Sequence, residues 1–267
     1  MDALPGPEFE ALIRPHVGEL LTAERTAHGH GSDVTALVEG TSGRFFVKGM
    51  KKRPGGRLDS LVREGAINPY ITPISPKLLW TAEGPSWVVL GFEQVTGHTA
   101  DFTPNSNDLR AVTETLNRIA ALALPGVAQG WWETRWDRYL SEEDAALLRG
   151  NALLYTDIQP DNFLIGPDTT WAVDWAWPTR GAGFIDPACL VHQLIAAGHT
   201  PEAAEAWASR CTAWQSADPR VVDVFVIATL RLYAAAVSRR PNETWLGAMT
   251  DAARTWAHHR GGGIDVL

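Results

Sequence analysis

Residues 153–175, LLYTDIQPDNFLIGPDTTWAVDW, decide how this chain is expected to fold. An apolar run enters a polar turn, and we predict strands at 163–165 and 171–173 joined by the turn 166–168. Side chains that carry oxygen stand at the ends of these apolar segments. This spacing can gather three oxygen groups around one point, which suits a magnesium ion and phosphoryl transfer. The three side chains are Asp157, Asn162 and Asp174.

At these positions the chain resembles the aminoglycoside phosphotransferase family, the small-molecule branch of the protein-kinase-like fold. The family's catalytic loop usually reads His-Gly-Asp-Leu-His-Pro-x-Asn, and residues 155–162 here read Tyr-Thr-Asp-Ile-Gln-Pro-Asp-Asn. The family's metal-binding segment, usually Ile-Asp-Trp or Ile-Asp-Phe, reads Val-Asp-Trp at 173–175. The resemblance implies that Asp157 is the base that faces the acceptor hydroxyl. It also implies that Asn162 and Asp174 hold Mg2+.

Two positions of the catalytic loop depart from the family pattern. Tyr155 replaces a His that packs under the metal-binding segment and moves no proton, and Gln159 replaces a second His that the chemistry does not require. The competing interpretation of the loop is that Asp157 and Asn162 are only turn residues, because such side chains favour turns on their own account. The strand that ends at Asp174 favours the active site.

The resemblance implies an α+β, bilobal, protein-kinase-like fold. Its N-terminal lobe would be a five-stranded antiparallel sheet with a helix, and its C-terminal lobe would be mainly helical. A length of 267 residues fits this arrangement. We predict a nucleotide-binding lobe over 1–92, a hinge over 93–97, and a catalytic and acceptor-binding lobe over 98–267.

The N-terminal part reads as a helix over 7–21, followed by strand patterns at 34–38, 45–48, 78–80 and 87–92. Lys48 ends the second of these strands. The resemblance implies that this lysine reaches the α- and β-phosphates of the nucleotide and is held by a glutamate on the next helix. We predict that this helix runs from the N-cap Asp59 to just before Pro69, with Glu64 as the partner.

Two further segments are expected to contact the nucleotide. The resemblance places a glycine-bearing loop, with Gly31 and Ser32, against the phosphates. A glycine-bearing turn at 39–43 is a weaker candidate, since backbone N–H groups in such turns can approach phosphates but the turns are common. At the hinge, the resemblance implies main-chain contacts from Glu93 and Val95 to the purine.

The C-terminal part is predicted to be helical. One apolar stripe recurs at helical spacing, and N-caps precede later helices at Thr200, Asp218 and Asp186, the last of which we interpret as structural. The aromatic-rich segment 130–139 is either core or an acceptor-binding wall. A last helix is expected over 243–259. The stripe comprises Leu109, Val112, Leu116 and Ile119.

Composition narrows the class of protein. The net charge is −8, and residues 101–267 carry 20 acidic against 13 basic residues. This bias argues against nucleic-acid binding; it would suit a cationic acceptor, or it is ordinary solubility charge. We expect no membrane partner, because the acidic start is no signal peptide and charges at Asp223 and Arg231 interrupt the longest apolar run. Cys189 and Cys211 read as buried thiols of a cytoplasmic protein.

The function predicted from these features is transfer of the γ-phosphoryl group of ATP or GTP to a hydroxyl of a small molecule, with Mg2+. The family resemblance favours an aminoglycoside or another antibiotic as the acceptor, with amino alcohols and sugars as alternatives. A non-catalytic nucleotide-binding module is the second hypothesis, which only Tyr155 and the unusual loop support. Acyl or nucleotidyl transfer lacks a motif in this chain.

Overall fold

The computed structural model describes residues 4–26, 31–53 and 56–262, which form nine α-helices and ten strands. Short 3-10 helices lie at Gly126–Ala128, Asp137–Tyr139 and Pro160–Asn162. In chain order the elements are α1 (Pro7–Val17), β1 (Leu20–Arg25), β2 (Val34–Gly40), β3 (Gly43–Lys51), α2 (Gly56–Ile71), β4 (Leu78–Glu83), β5 (Trp87–Glu93), β6 (His98–Thr99), α3 (Leu109–Ala120), α4 (Glu142–Leu147), β7 (Ala152–Leu154), β8 (Phe163–Ile165), β9 (Thr170–Ala172), β10 (Thr179–Gly181), α5 (Ile185–Ala196), α6 (Pro201–Ala208), α7 (Thr212–Gln215), α8 (Pro219–Arg239) and α9 (Thr244–His259).

The chain divides into two compact units. Unit 1 comprises residues 1–98 and 166–177, and unit 2 comprises residues 99–165 and 178–267. Unit 1 holds a five-stranded antiparallel sheet with two helices, and unit 2 holds the other helices. The α+β prediction, with a five-stranded antiparallel sheet and a mainly helical C-terminal part, is confirmed. The lobe boundaries at 92 and 97 stay a prediction.

The sheet of unit 1 has the strand order β1-β2-β3-β5-β4, and every pairing is antiparallel. Successive side chains of a strand point to opposite faces, so β3 contributes residues to two buried hydrophobic clusters. Val47 joins a buried cluster with Phe9 of α1. Met50 lies on the other face, in a cluster with Leu61 of α2. Lys48 shares the parity of Met50 and therefore faces α2.

The first strand of the sheet was not anticipated. The helix predicted over 7–21 is wrong at its C-terminal end, because α1 ends at Val17 and residues 20–25 form β1. Gly18 adopts a φ of 74°, a left-handed conformation that favours glycine, and its N–H donates to the carbonyl of Arg14. This cap ends the helix before the apolar pair at 20–21 can continue it.

The helix that carries Glu64 is longer than predicted at both ends. It begins at Gly56 instead of Asp59 and runs through Pro69 to Ile71. A proline in the last turn removes one helical hydrogen bond, a smaller loss than in a helix centre. The buried side chain of Ile71 lies beyond the proline and packs the final turn into the core.

In unit 2, α9 packs against α5 and α8. The predicted N-caps Thr200 and Asp218 are confirmed, since each side chain accepts a hydrogen bond from a backbone N–H in the first turn of its helix, and Ser141 caps α4 in the same way. The apolar stripe of α3 is confirmed as well, and all four of its residues are buried. The last helix lies where it was predicted.

Helix α8 is 21 residues long and has the hydropathy of a membrane span. Core helices of other proteins meet the same two criteria. In unit 2 the helix is packed on one side, and Val222, Phe225 and Val226 are among its seven buried residues. Asp223 on the same helix accepts a hydrogen bond from Arg260 at 2.5 Å.

Candidate active site

In unit 1 a lysine and two carboxylates form one buried group. Nζ of Lys48 donates to Oε1 of Glu64 at 2.7 Å and to Oδ1 of Asp174 at 2.9 Å. The side chains of Lys48 and Glu64 are 5% and 7% exposed, and that of Asp174 is 27% exposed. The structure thus brings together three residues that the sequence predicted as parts of one site.

Electrostatics keep the lysine charged. Burial alone would lower the pKa of Lys48, but the negative charges of Glu64 and Asp174 outweigh it and raise that pKa above its ordinary value. Burial also raises the pKa of Glu64, which the ammonium of Lys48 opposes without cancelling. The backbone N–H of Trp175 donates to Glu64 as well. The buried cation and its two carboxylates therefore depend on one another.

Asp174 follows β9 in a constrained segment. Its φ is 59°, in the left-handed region that non-glycine residues rarely adopt. The next residue, Trp175, is fully buried and donates from its indole Nε1 to the carbonyl of Ala172 at 3.0 Å. Backbone strain of this kind persists where surrounding contacts fix it, and it concentrates at functional sites. Strands form at both predicted positions around the turn 166–168, although Val173 lies outside β9.

The residues predicted to contact the phosphates and the purine also lie in unit 1. Gly31 and Ser32 lie just before β2, which begins at Val34, and Thr35 of that strand pairs with Lys48. Residues 27–30 of the loop lie outside the described residues. Arg57 donates to the carbonyl of Gly31 at 2.9 Å. The turn at 39–43 lies at the far end of β2, where Gly40 packs against the end of α1 instead of beside Lys48.

The hinge residues lie at the end of the sheet. The N–H of Glu93 donates to the carbonyl of Lys77, and its carboxylate accepts from the N–H of Lys77 at 2.7 Å. The backbone donor of Glu93 is therefore already engaged. Val95 lies two residues beyond the end of β5 and is half-buried.

In unit 2 the loop after β7 brings Asp157 and Asn162 together. Nδ2 of Asn162 donates to the backbone carbonyl of Asp157 at 2.9 Å, and Nε2 of Gln159 lies 3.4 Å from Oδ2 of the same aspartate. Asp157 is exposed and Asn162 is buried. The five-residue spacing read from the sequence thus closes a compact loop around the aspartate.

Tyr155, the main departure from the family loop, is buried. Its hydroxyl donates to the carbonyl of Asn162 at 3.3 Å, and its ring meets Phe163 edge to face at 5.9 Å. The tyrosine therefore packs beneath the loop and supports Asn162. This arrangement is compatible with the prediction that the replacement of His is tolerated.

Asp186 has a role that the sequence did not reveal. It was predicted to be the N-cap of α5, which is wrong, because the helix begins at Ile185 and Phe184 occupies the cap position. The carboxylate instead accepts hydrogen bonds from the N–H groups of Tyr155 at 2.9 Å and Thr156 at 2.8 Å. Burial raises the pKa of Asp186 to about 6, although these two N–H groups oppose the shift.

Two residues of the aromatic-rich segment were also missed. Arg135 donates from Nη2 to Oγ1 of Thr156 at 2.9 Å, and the same Nη2 lies 3.7 Å from Oε2 of Glu133. Partial burial would lower the pKa of Arg135, but Glu133 and Asp157 are among the negative groups that raise it. No sequence motif could have identified Arg135, because its hydrogen bond to Thr156 joins segments 21 positions apart.

The aromatic-rich segment 130–139 was interpreted as either core or an acceptor-binding wall, and its tryptophans differ in burial. Trp136 is core, since it is 3% exposed and its indole donates to Oγ1 of Thr229 at 3.0 Å. Trp132 is 41% exposed, and the guanidinium of Arg180 stacks on its ring at 3.9 Å. Among the tryptophans of segment 130–139, Trp132 is therefore the one that is exposed to solvent.

The oxygen atoms of the predicted ligands fit magnesium. The hydrogen bond from Nδ2 of Asn162 leaves its amide oxygen without a hydrogen bond among the described residues, and the carboxylate of Asp174 is partly exposed. Magnesium prefers such oxygen ligands and commonly takes only one or two from protein. In the described part of the chain, no group of three His, Cys, Asp or Glu residues offers an alternative site.

The fold is shared with solved structures of small-molecule kinases. The choline kinase LicA from Streptococcus pneumoniae is 14% identical, with a TM-score of 0.66 over 95% of this chain and 100% of that one; a second LicA structure is a complex with AMP. A microcompartment-associated aminopropanol kinase is 15% identical, with a TM-score of 0.61 over 96% and 98%.

A third structure is a thermostable mutant of the aminoglycoside phosphotransferase APH(4)-Ia. It is 13% identical, with a TM-score of 0.56 over 93% of this chain and 99% of that chain. No protein-family model matches the sequence, and no curated protein matches it. The likeness is therefore one of fold, in agreement with the resemblance seen in the catalytic loop.

Proposed function

We propose that this chain is a small-molecule kinase that transfers the γ-phosphoryl group of ATP or GTP to a hydroxyl. The observation that carries the proposal is the buried Lys48, bonded at once to Glu64 and Asp174. Burying two charges beside a third, partly exposed one is unfavourable for stability unless they are well paired, so such a group needs a functional reason. A fixed ammonium between two carboxylates suits the binding of phosphates and a metal ion.

In the proposed reaction Asp157 orients the acceptor and takes the proton of its hydroxyl. The hydroxyl oxygen bonds to the γ-phosphorus while the bond from that phosphorus to the β–γ bridging oxygen breaks, and ADP or GDP leaves. Bound Mg2+, held by Asn162 and Asp174, would neutralise the phosphate charge. Catalysis then depends on positioning and electrostatics.

The remaining residues bind the nucleotide. Lys48, held by Glu64, neutralises the α- and β-phosphates, and Gly31 and Ser32 approach the phosphates through their main chain. The hinge binds the purine through main-chain atoms of Glu93 and Val95, with the carbonyl as the available group of Glu93, because its N–H is engaged. Fold neighbours that include a complex with AMP support the use of a nucleotide.

The acceptor is a small hydroxylated molecule. The loop resemblance favours an aminoglycoside or another antibiotic, which would make the chain a resistance enzyme of the cytoplasm. The choline and aminopropanol kinases among the fold neighbours support an amino alcohol as the alternative. The acidic excess of residues 101–267 suits a cationic acceptor in both cases.

The test is magnesium-dependent release of ADP or GDP with a panel of aminoglycosides, macrolides, choline and aminopropanol. Asp157→Asn is the matched control, because it keeps the size of the side chain and removes the base. We expect one acceptor class to give turnover that this variant loses by about 100-fold or more.

Nucleotide binding separates the other outcomes. If no acceptor gives turnover above the Asp157→Asn control, isothermal titration with ATP and GTP decides the next step. Binding that requires Lys48 would leave a nucleotide-binding module without this catalysis. Absence of binding to both nucleotides would refute the kinase proposal.

A further inference from the structure

The backbone directly before Asp157 is strained. The N–H of Asp157 donates to the carbonyl of Tyr155 at 2.8 Å, which closes a three-residue turn with Thr156 at its centre. The φ of Thr156 is 59°. This combination of a positive φ and a hydrogen bond between residues two apart is that of a γ-turn, whose form with positive φ is rare. A β-branched residue is especially unfavourable in this conformation, so other contacts must hold it.

Two side chains hold Thr156 from different elements. Oδ1 of Asp186 accepts from its N–H at 2.8 Å, and Nη2 of Arg135 donates to its Oγ1 at 2.9 Å. Arg135 is itself fixed, since its backbone N–H donates to Oε1 of Glu133 at 2.8 Å and its guanidinium lies 3.7 Å from Oε2. The buried Glu133 also accepts from Oγ1 of Thr179 at 3.0 Å.

We propose that Arg135 is a positioning residue for phosphoryl transfer, because its hydrogen bond to Thr156 fixes the strained turn that orients Asp157. This inference rests on the proposed function, which assigns Asp157 as the base. In the usual catalytic loop of the aminoglycoside phosphotransferase family, glycine stands in the place of Thr156. Glycine adopts a positive φ without strain but offers no hydroxyl. Thr156 lacks the conformational freedom of glycine, but its hydroxyl accepts a hydrogen bond from Arg135.

The competing role for Arg135 is to neutralise the buried Glu133. Thr156→Val separates the two roles, because it removes the acceptor oxygen, keeps the β-branched shape and leaves the contact between Arg135 and Glu133 intact. Thr156→Ser keeps the hydroxyl and serves as the conservative rescue. Arg110→Met is a matched arginine control, because Arg110 is exposed on α3 and pairs with Glu114 one turn along the same helix.

The experiment measures kcat and KM for magnesium-dependent release of ADP or GDP, with water as the acceptor if no panel compound reacts. We expect Arg135→Met and Thr156→Val each to lower kcat by about 10- to 100-fold, as for a lost hydrogen bond to a charged group. The KM for nucleotide should stay within about threefold. The double variant should be no slower than the slower single variant, because both changes break one interaction. Thr156→Ser and Arg110→Met should keep kcat within about threefold of the unsubstituted chain.

Each alternative result has a definite meaning. If Thr156→Val keeps full kcat, or if the two losses multiply in the double variant, Arg135 does not act through Thr156 and the inference is overturned while the kinase proposal stands. A loss confined to KM overturns it in the same way. Turnover equal in the unsubstituted chain and in Asp157→Asn overturns the assignment of Asp157 as the base and this inference with it, and nucleotide binding then decides whether the kinase proposal stands. Circular dichroism and thermal unfolding of each variant exclude misfolding as the cause.

Discussion

The ammonium of Lys48 lies 2.9 Å from Oδ1 of Asp174, although 126 positions separate the two residues in the sequence. The same nitrogen donates to Glu64, so one cation links β3, α2 and the segment after β9. Because Lys48 has two partners, it would keep one carboxylate if Asp174 turned to the proposed metal ion. The contact between Lys48 and Asp174 is therefore suited to exchange with a bound ion.

The first prediction concerns the stability of this buried group. Lys48→Met leaves Glu64 buried without a cation, so we expect the free energy of unfolding to fall by about 3–5 kcal/mol. Lys52→Met is the control, because Lys52 pairs with Glu83 near the surface and should cost less than about 1 kcal/mol. Urea unfolding of both variants measures the difference. Equal losses in the two variants would show that the buried group contributes no special stability.

The second prediction concerns magnesium. Asp174→Asn removes the charge of a proposed magnesium ligand but keeps a side chain that tolerates the left-handed backbone of this position. We expect turnover to fall by about 100-fold or more, and the magnesium concentration for half-maximal turnover to rise. Asp168→Asn, in the exposed turn at 166–168, is the matched control. An unchanged magnesium requirement in Asp174→Asn would remove Asp174 from the ligand set.

The parts of the site that the sequence predicted are those encoded by local spacing. Asp157 and Asn162 belong to one loop, and Lys48 faces α2 because alternate residues of a strand share a face. Glu64 follows because it is the single glutamate of α2, the next helix along the chain. The spacing within the loop and the parity of the strand need only the geometry of one or two neighbouring elements, whereas the roles of Lys48 and Glu64 were implied by the family resemblance.

The parts that were missed depend on packing between distant segments. Asp186 reaches the loop from 30 positions away, and its place before a proline gave it a more obvious local role as an N-cap. Arg135 lies among tryptophans with no motif around it. Strand β1 was hidden because its first residues continue the helical spacing of α1, and only the conformation of Gly18 separates the two elements.

The third prediction is a pH dependence at Asp186. Burial raises the pKa of this carboxyl to about 6, above its ordinary value of 3.8. Between about pH 4 and 6 the folded state therefore binds more protons than the unfolded state. The stability that Asp186 contributes is fully present below pH 4 and is lost as the pH rises through 6.

Asp186→Asn cannot titrate, and it retains one oxygen to accept from the loop. We expect the unfolding free energy of the unsubstituted chain, relative to this variant, to fall by about 3 kcal/mol between pH 4 and pH 7. Urea unfolding at four pH values across this range measures it. A difference that does not change with pH would mean that Asp186 is charged throughout in the folded state.

The last prediction is a pH dependence of stability at His192, six residues further along α5, and its sign is opposite to that at Asp186. His192 is buried, its Nε2–H donates to the carbonyl of Met249 at 2.8 Å, and burial lowers its pKa to about 4. The unfolded chain then binds a proton that the folded chain does not, so stability is lost as the pH falls from 6.5 through 4. His192→Gln keeps a donor for Met249 and should relieve about 3 kcal/mol of this loss.

The pH dependences of stability that arise from Asp186 and His192 have opposite signs between about pH 4 and 6. In the unsubstituted chain the two effects therefore largely cancel. Acidification from pH 6 to 4 strengthens the contribution of Asp186 while it weakens that of His192. Their combined effect should be nearly flat there, provided that the two sites act independently. Asp186→Asn should therefore make the protein more sensitive to acid, and His192→Gln should make it less sensitive. The double variant should run parallel to the unsubstituted chain. If both single variants changed acid sensitivity in the same direction, one of the two pKa shifts would have the wrong sign.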